Sequence, residues 1–183
     1  MNFELAPRSI ARMRNTHFSR AKARGAALGL AAAVSLLLAA AGARAASWKG
    51  LEPFVSRRAD VERVLGAPVA DRMAQDGSLK FNVSGGSVTV FFVTARFVAT
   101  KHLSPKLEGT ILQIVLSHDH AADTPESMNL VKNKAFKREA SGEVEKYTDE
   151  KEGLVYIFVG SRLKTTRYAY SEQQLARIQR GKM

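Results

Sequence analysis

The chain has 183 residues and no cysteine, with 28 lysines and arginines against 17 aspartates and glutamates. The missing thiols exclude a disulfide scaffold, a thiolate metal centre and a cysteine nucleophile. Burial of apolar surface must therefore support the fold, and a hydrophobic fraction of 45% is enough to build a core rather than a disordered chain.

The formal net charge of +11 is concentrated at the N-terminus. Arg8, Arg12, Arg14, Arg20, Lys22 and Arg24 precede an uncharged run from Ala26 to Ala43, AALGLAAAVSLLLAAAGA, which leads into Ala43-Arg44-Ala45. That order of zones is a signal peptide over residues 1–45, with a mature chain from Ala46 and Met1 or Met13 as the start. The rival reading is an uncleaved anchor, because 18 uncharged residues lie at the lower edge of what spans a bilayer. No Arg-Arg pair supports twin-arginine export, and no Cys near the cut offers lipid attachment. Removing the leader leaves 21 basic and 16 acidic residues, a net charge of about +5. A periplasmic or secreted chain of that charge is not expected to meet nucleic acid.

In chain order, the mature segment predicts a short helix after Ser56, with Val61, Val64 and Leu65 on one face and Gly66 and Pro68 as its stop. Strands are expected at 79–84 and 87–94, joined by Ser84-Gly85-Gly86. A long insertion, TARFVATKHLSPKLEG, runs from Thr94 to Gly109 and is a natural place to look for binding. A strand from Thr110 to Ser117 follows, then the polar run His118-Asp119-His120-Ala121-Ala122-Asp123. A second helix is expected with Thr124 as cap and Pro125 at its first position. Strands then run at 144–149, 153–159 and 162–170. In the last of these, Leu163, Thr165, Arg167 and Ala169 alternate with Lys164, Thr166, Tyr168 and Tyr170. Ser171 and Gln174 form a capping box for a final helix.

A constant offset of 66 residues carries Phe81–Val93 onto Tyr147–Val159 and Ala59–Leu65 onto Pro125–Val131. The offset predicts two helix-plus-three-strand repeats, at about 54–118 and 124–170, within one domain spanning 46–183. The expected fold is α+β: an antiparallel sheet with helices on one face.

The stretch FVSRRADVERVLGAP, Phe54–Pro68, resembles the opening of an uncharacterised family of predicted secreted bacterial proteins. Agreement is best at Arg58, Asp60, Val61, Glu62, Leu65, Gly66 and Pro68, and the resemblance extends over Trp48 to about Tyr168. It is more loosely similar to the first helix of the SmpA/OmlA (BamE-like) and beta-lactamase-inhibitor-like folds. The first resemblance implies a fold and an exported location with no established activity. Members of that family often carry a Cys in the region after the first hairpin that this chain lacks, so no thiol role carries over. The second implies protein–protein contact in the envelope.

His102, His118, His120 and Asp123 are the candidate metal ligands by donor type. Their spacing argues against a site, because His118 and His120 point one way along an extended strand and Asp119 the other, and His102 lies in the insertion. The expectation is therefore no metal and no cofactor. Glu143, Glu145, Asp149, Glu150 and Glu152 are carboxylates of a kind that glycoside cleavage pairs, but interspersed with Lys146 and Lys151 they read as a solvated hairpin. No Gly-x-Ser-x-Gly elbow, P-loop or GxGxxG occurs. Tyr168 and Tyr170 read as packing, with a binding face beside Arg162 and Arg167 as the alternative. Together these features predict a non-enzymatic exported protein that contacts another envelope protein, or else a periplasmic small-ligand or divalent-metal binder.

Overall fold

The computed structural model describes residues 46–181. The expected leader, and with it the choice between a cleaved signal and an anchor, lies outside the described residues. Within them no helix is long and apolar enough to cross a membrane.

The fold is α+β. In chain order the elements are α1 (Arg58–Leu65), β1 (Ser78–Val83), β2 (Gly86–Phe92), α2 (Ala95–Lys101), a 3₁₀ turn (Pro105–Leu107), β3 (Ile111–His118), β4 (Lys137–Ser141), β5 (Val144–Asp149), β6 (Leu154–Val159), β7 (Arg162–Ala169) and α3 (Glu172–Gln179). The strands form one seven-stranded sheet in the order β1-β2-β3-β7-β6-β5-β4. Every neighbouring pair is antiparallel.

Strand order is symmetric about the central β3–β7 pair, with β4 added outside one half. Both third strands carry a one-residue bulge. In β3, Phe91 and Phe92 pair with Gln113 and Ile111, leaving Leu112 extra. In β7, Ile157 and Phe158 pair with Thr165 and Leu163, leaving Lys164 extra. A bulge reverses the alternation of side chains beyond it. Leu163 thereby joins Phe158 and Thr166 on the buried face, and not Thr165 and Arg167 as uninterrupted alternation predicts.

The symmetry of the strands does not extend to the helices. Residues 124–131 form successive turns and not the expected helix. Thr124 and Ser127 satisfy each other's backbone N–H groups, at 2.9 and 3.2 Å, and Asn129 adopts a left-handed φ of 55° that stops helical propagation. Leu130 and Pro125 are the buried residues of that segment, and Leu130 is its one buried residue in the apolar cluster. The insertion, conversely, is structured: Thr94 caps α2 by accepting from the Phe97 N–H at 3.2 Å, and Ser104 begins the 3₁₀ turn. The cap of α1 is Arg57 and not Ser56. Asp60 Oδ2 accepts from the Arg57 N–H at 2.9 Å, while the Ser56 hydroxyl accepts from Glu52 N–H at 3.0 Å.

Three apolar clusters fill the interior. Val61 of α1 packs with Phe81, Val88, Val90 and Ile114 on one face of β1–β3. Residues of α2 and α3, including Val98 and Ile178, gather with Phe54, Val93 and Leu103. Leu130, Tyr147, Phe158 and Leu163 close the β5–β7 half. Ser171 is 2% exposed and caps α3 by accepting from the Gln174 N–H at 3.2 Å. Ser171→Ala is expected to cost about 1 kcal/mol in urea unfolding, with an unchanged m-value.

Candidate functional site

The structure does not bring the four candidate metal ligands together. His102 ends α2 in a left-handed conformation, φ 52°. His118 closes β3, and its Nε2 lies 3.0 Å from Thr166 Oγ1. His120 and Asp123 are exposed in the following connection, and the Asp123 carbonyl accepts from Leu163 N–H at 3.1 Å. Among the described residues, no three His, Asp or Glu side chains are arranged to hold a metal ion. His118 is instead a hydrogen-bonded residue bridging the two central strands.

Burial holds the His118 pKa below the ordinary 6.5, and the nearby Asp123 carboxylate opposes that shift. Folding thus favours the neutral ring. The unfolded chain takes up the proton more readily, so this contribution is complete above about pH 6.5 and is lost as pH falls below it. The expected result is that wild-type stability declines between pH 7 and 5 more steeply than that of His118→Gln, measured by thermal unfolding across that range.

Three of the acidic residues around β5, Glu139, Glu145 and Asp149, are occupied by structure. Glu145 Oε2 accepts from Arg138 Nε at 3.1 Å and from the Tyr147 hydroxyl at 2.9 Å. Glu139 pairs with Lys146 at 3.0 Å and Lys137 at 3.2 Å, and this pairing lowers its pKa. Asp149 Oδ1 caps the β5–β6 turn by accepting from Lys151 and Glu152 N–H groups. No glycosidase-like carboxylate pair facing a cleft is formed by these contacts. Tyr170 packs against Phe54 and Phe97 at ring distances of 5.1 and 6.0 Å, and Tyr168 packs against the first core cluster. Burial raises the Tyr168 phenol. These two tyrosines are packing residues.

The feature that sequence reasoning missed lies on the opposite face of β5–β7. Thr148, Val155 and Arg167 are directly opposed on three adjacent strands. They contribute to the wall of a cavity of about 530 Å³. Lys151 and Glu150 of the β5–β6 turn line one side, and Glu172 and Gln173 at the start of α3 line another. Val155 is 3% exposed. Thr148 Oγ1 and Arg167 Nε are both buried and have no hydrogen-bond partner. A smaller hollow of about 290 Å³ shares Thr148–Lys151 and adds Lys134 and Lys137.

Leaving a buried donor unpaired costs about 1–3 kcal/mol, more for a charged group. Both residues line the cavity, and an acceptor bound there would meet an arginine with no protein partner among the described residues. No single stretch of sequence announces it, because Thr148 and Arg167 are brought side by side only by pairing through β6.

Comparison with protein-family models finds no match, and comparison with curated proteins finds none either. Among solved structures, the chain is similar to a DUF4309 family protein (YjgB) from Bacillus subtilis subsp. subtilis str. 168. The two share 13% identity at a TM-score of 0.45, over 67% of this chain and 84% of that one.

Proposed function

We propose that this chain is an exported, non-enzymatic binding protein that holds a small molecule against β5–β7. The observation that carries the reading is the cavity lined by Thr148, Val155 and Arg167, in which the Arg167 guanidinium has no hydrogen-bond or ion-pair partner among the described residues. Ligand sites combine a largely apolar lining with a few convergent polar groups, at volumes of roughly 300–1,000 Å³. Val155, Ala169 and Tyr170 supply the apolar part here. Export is supported by the order of the first 45 residues: a basic stretch, an uncharged Ala- and Leu-rich run, and Ala43-Arg44-Ala45. The non-enzymatic reading is supported by the use of His118, Glu139, Glu145 and Asp149 in hydrogen bonds, ion pairs and a turn.

The second reading is contact with another envelope protein. It is favoured by Val144 and Val159, opposed on β5 and β6 and exposed by 42% and 37%. Such an apolar pair on an outer sheet face is a point of contact.

Mass spectrometry of the protein purified from an exporting host, native and then denatured, tests both the export and the binding. The expected result is a denatured mass beginning at Ala46 and a native mass carrying a small organic excess. An intact N-terminus overturns export. A native mass with no excess, together with protein partners captured by a photo-crosslinker at Val144, moves the function to the second reading.

A further inference from the structure

The chemistry of the cavity wall narrows what it accepts, on the footing that the cavity is a ligand site. Arg167 stands opposite Val115 on β3 and Val155 on β6, so its strand neighbours in register are apolar. None of the ion pairs or hydrogen bonds among the described residues uses its guanidinium. Arginine is always charged and presents a planar fork that matches a carboxylate. Arg167 is half-buried at the cavity, and a bound carboxylate would give its guanidinium charge-assisted hydrogen bonds.

Other lining residues have the opposite character. Glu172, in the first turn of α3, and Glu150, in the β5–β6 turn, are exposed and line the opening. Asp149 also faces the cavity, though its Oδ1 caps the turn. Against these three acids stand Arg167 and Lys151. A lining with more acids than bases disfavours a dianion such as phosphate, while leaving one guanidinium to take a single negative charge. The unpaired glutamates are suited to a cation.

We infer that the cavity binds a small zwitterion, with its carboxylate on the Arg167 guanidinium and its ammonium group toward Glu172 and Glu150, on the scale of an amino acid or a dipeptide. The volume of about 530 Å³ leaves room for a side chain over Val155 and Ala169.

The test uses the full exported chain after unfolding and refolding to remove any carried ligand. Isothermal titration is run with four probes: alanyl-alanine, acetate, ethylamine and inorganic phosphate. Alanyl-alanine is expected to bind at least tenfold more tightly than any of the other three. Arg167→Gln is expected to weaken it at least tenfold, and Glu172→Gln to weaken it several-fold without changing acetate. Arg167→Lys, which keeps the charge and loses the fork, should retain the fold by circular dichroism and still lose most of the affinity.

Phosphate binding more tightly than alanyl-alanine overturns the zwitterion. So does affinity for alanyl-alanine that is the same in Arg167→Gln. Silence from all four probes overturns the zwitterion too, and the native mass then separates the two readings. If a small organic excess is present in wild type and lost in Arg167→Gln, the ligand site stands with another ligand class. If no excess is present, the ligand-site reading fails with it.

Discussion

Phe158→Ala is expected to lower the unfolding free energy by about 3–5 kcal/mol. Phe158 is 0% exposed, and its ring meets Tyr147 edge-on, with centroids 5.7 Å apart and planes at 85°. Leu130 and Leu163 complete the same cluster. Truncation would remove apolar surface from a site whose walls belong to two strands and to the turns at 124–131, which are held in place by their own hydrogen bonds and collapse poorly into the void. The loss is also topological. Phe158 sits at the β6–β7 irregularity, where the extra Lys164 turns Leu163 inward to meet it. Without the ring nothing rewards that inward turn. Against a total stability of about 5–15 kcal/mol the change is large, and at about 4 °C per kcal/mol the melting temperature should fall by roughly 12–20 °C. Tyr147→Phe is the companion measurement. It removes only the hydroxyl that donates to Glu145 and should cost about 1 kcal/mol. If Phe158→Ala unfolds within 1 kcal/mol of wild type, the β5–β7 half has no core of its own.

The fate of that half shows what the sequence could disclose. Strand β5 occupies Val144–Asp149, as its pattern of apolar and polar residues predicted, and α3 begins after Ser171 as its capping box required. These elements are legible because local chemistry alone defines them. Strand β4 was not legible. Its residues, Lys137-Arg138-Glu139-Ala140-Ser141, are all exposed and have no apolar period. The strand exists because it pairs with β5, where Arg138 meets Glu145 and Glu139 meets Lys146. Its charges also protect an edge that would otherwise invite further pairing. The same limit explains the histidines. Donor types in LSHDHAAD suggested a metal, whereas the outcome depended on what β7 places beside them, and that is the Thr166 hydroxyl. The helix expected at 124–131 failed for a local reason the sequence did contain: Asn129 takes a left-handed conformation readily, and one buried leucine is little reward for a helical turn. Thr148 and Arg167 become neighbours only through a third strand, so no reading of spacing along the chain would have joined them.

Gly86→Ala is expected to be severely damaging for a single added methyl group, costing about 2–6 kcal/mol. Gly86 opens β2 with φ of 155°, in a region open to glycine and closed to other residues. A Cβ built there lies 1.9 Å from the Ser117 carbonyl oxygen and 3.0 Å from its carbon. Both are backbone atoms of β3, so no rotamer change relieves the overlap. Either β2 separates from β3 at the Gly86–His118 and Ser87–Ser117 pairs, or Gly86 changes conformation and rotates the hairpin tip. The second course breaks the hydrogen bond from Asp119 N–H to the Gly85 carbonyl, at 3.0 Å. Backbone strain accounts for about 1–3 kcal/mol and overpacking for a similar amount. Gly85→Ala isolates the first contribution. Gly85 has φ of 83° but no atom within 4 Å of an added Cβ, so only the left-handed backbone cost of about 1–2 kcal/mol applies. The two variants differ by one position and by the same methyl group. Their urea midpoints should therefore differ by the steric share and the greater backbone strain at Gly86, and hydrogen exchange should show the Ser117 to Asp119 amides losing protection in Gly86→Ala and keeping it in Gly85→Ala. Equal midpoints would mean that β2 and β3 separate freely at this end. His118, at the same end, would then owe its burial to Thr166 and β7 rather than to the β1–β2 hairpin.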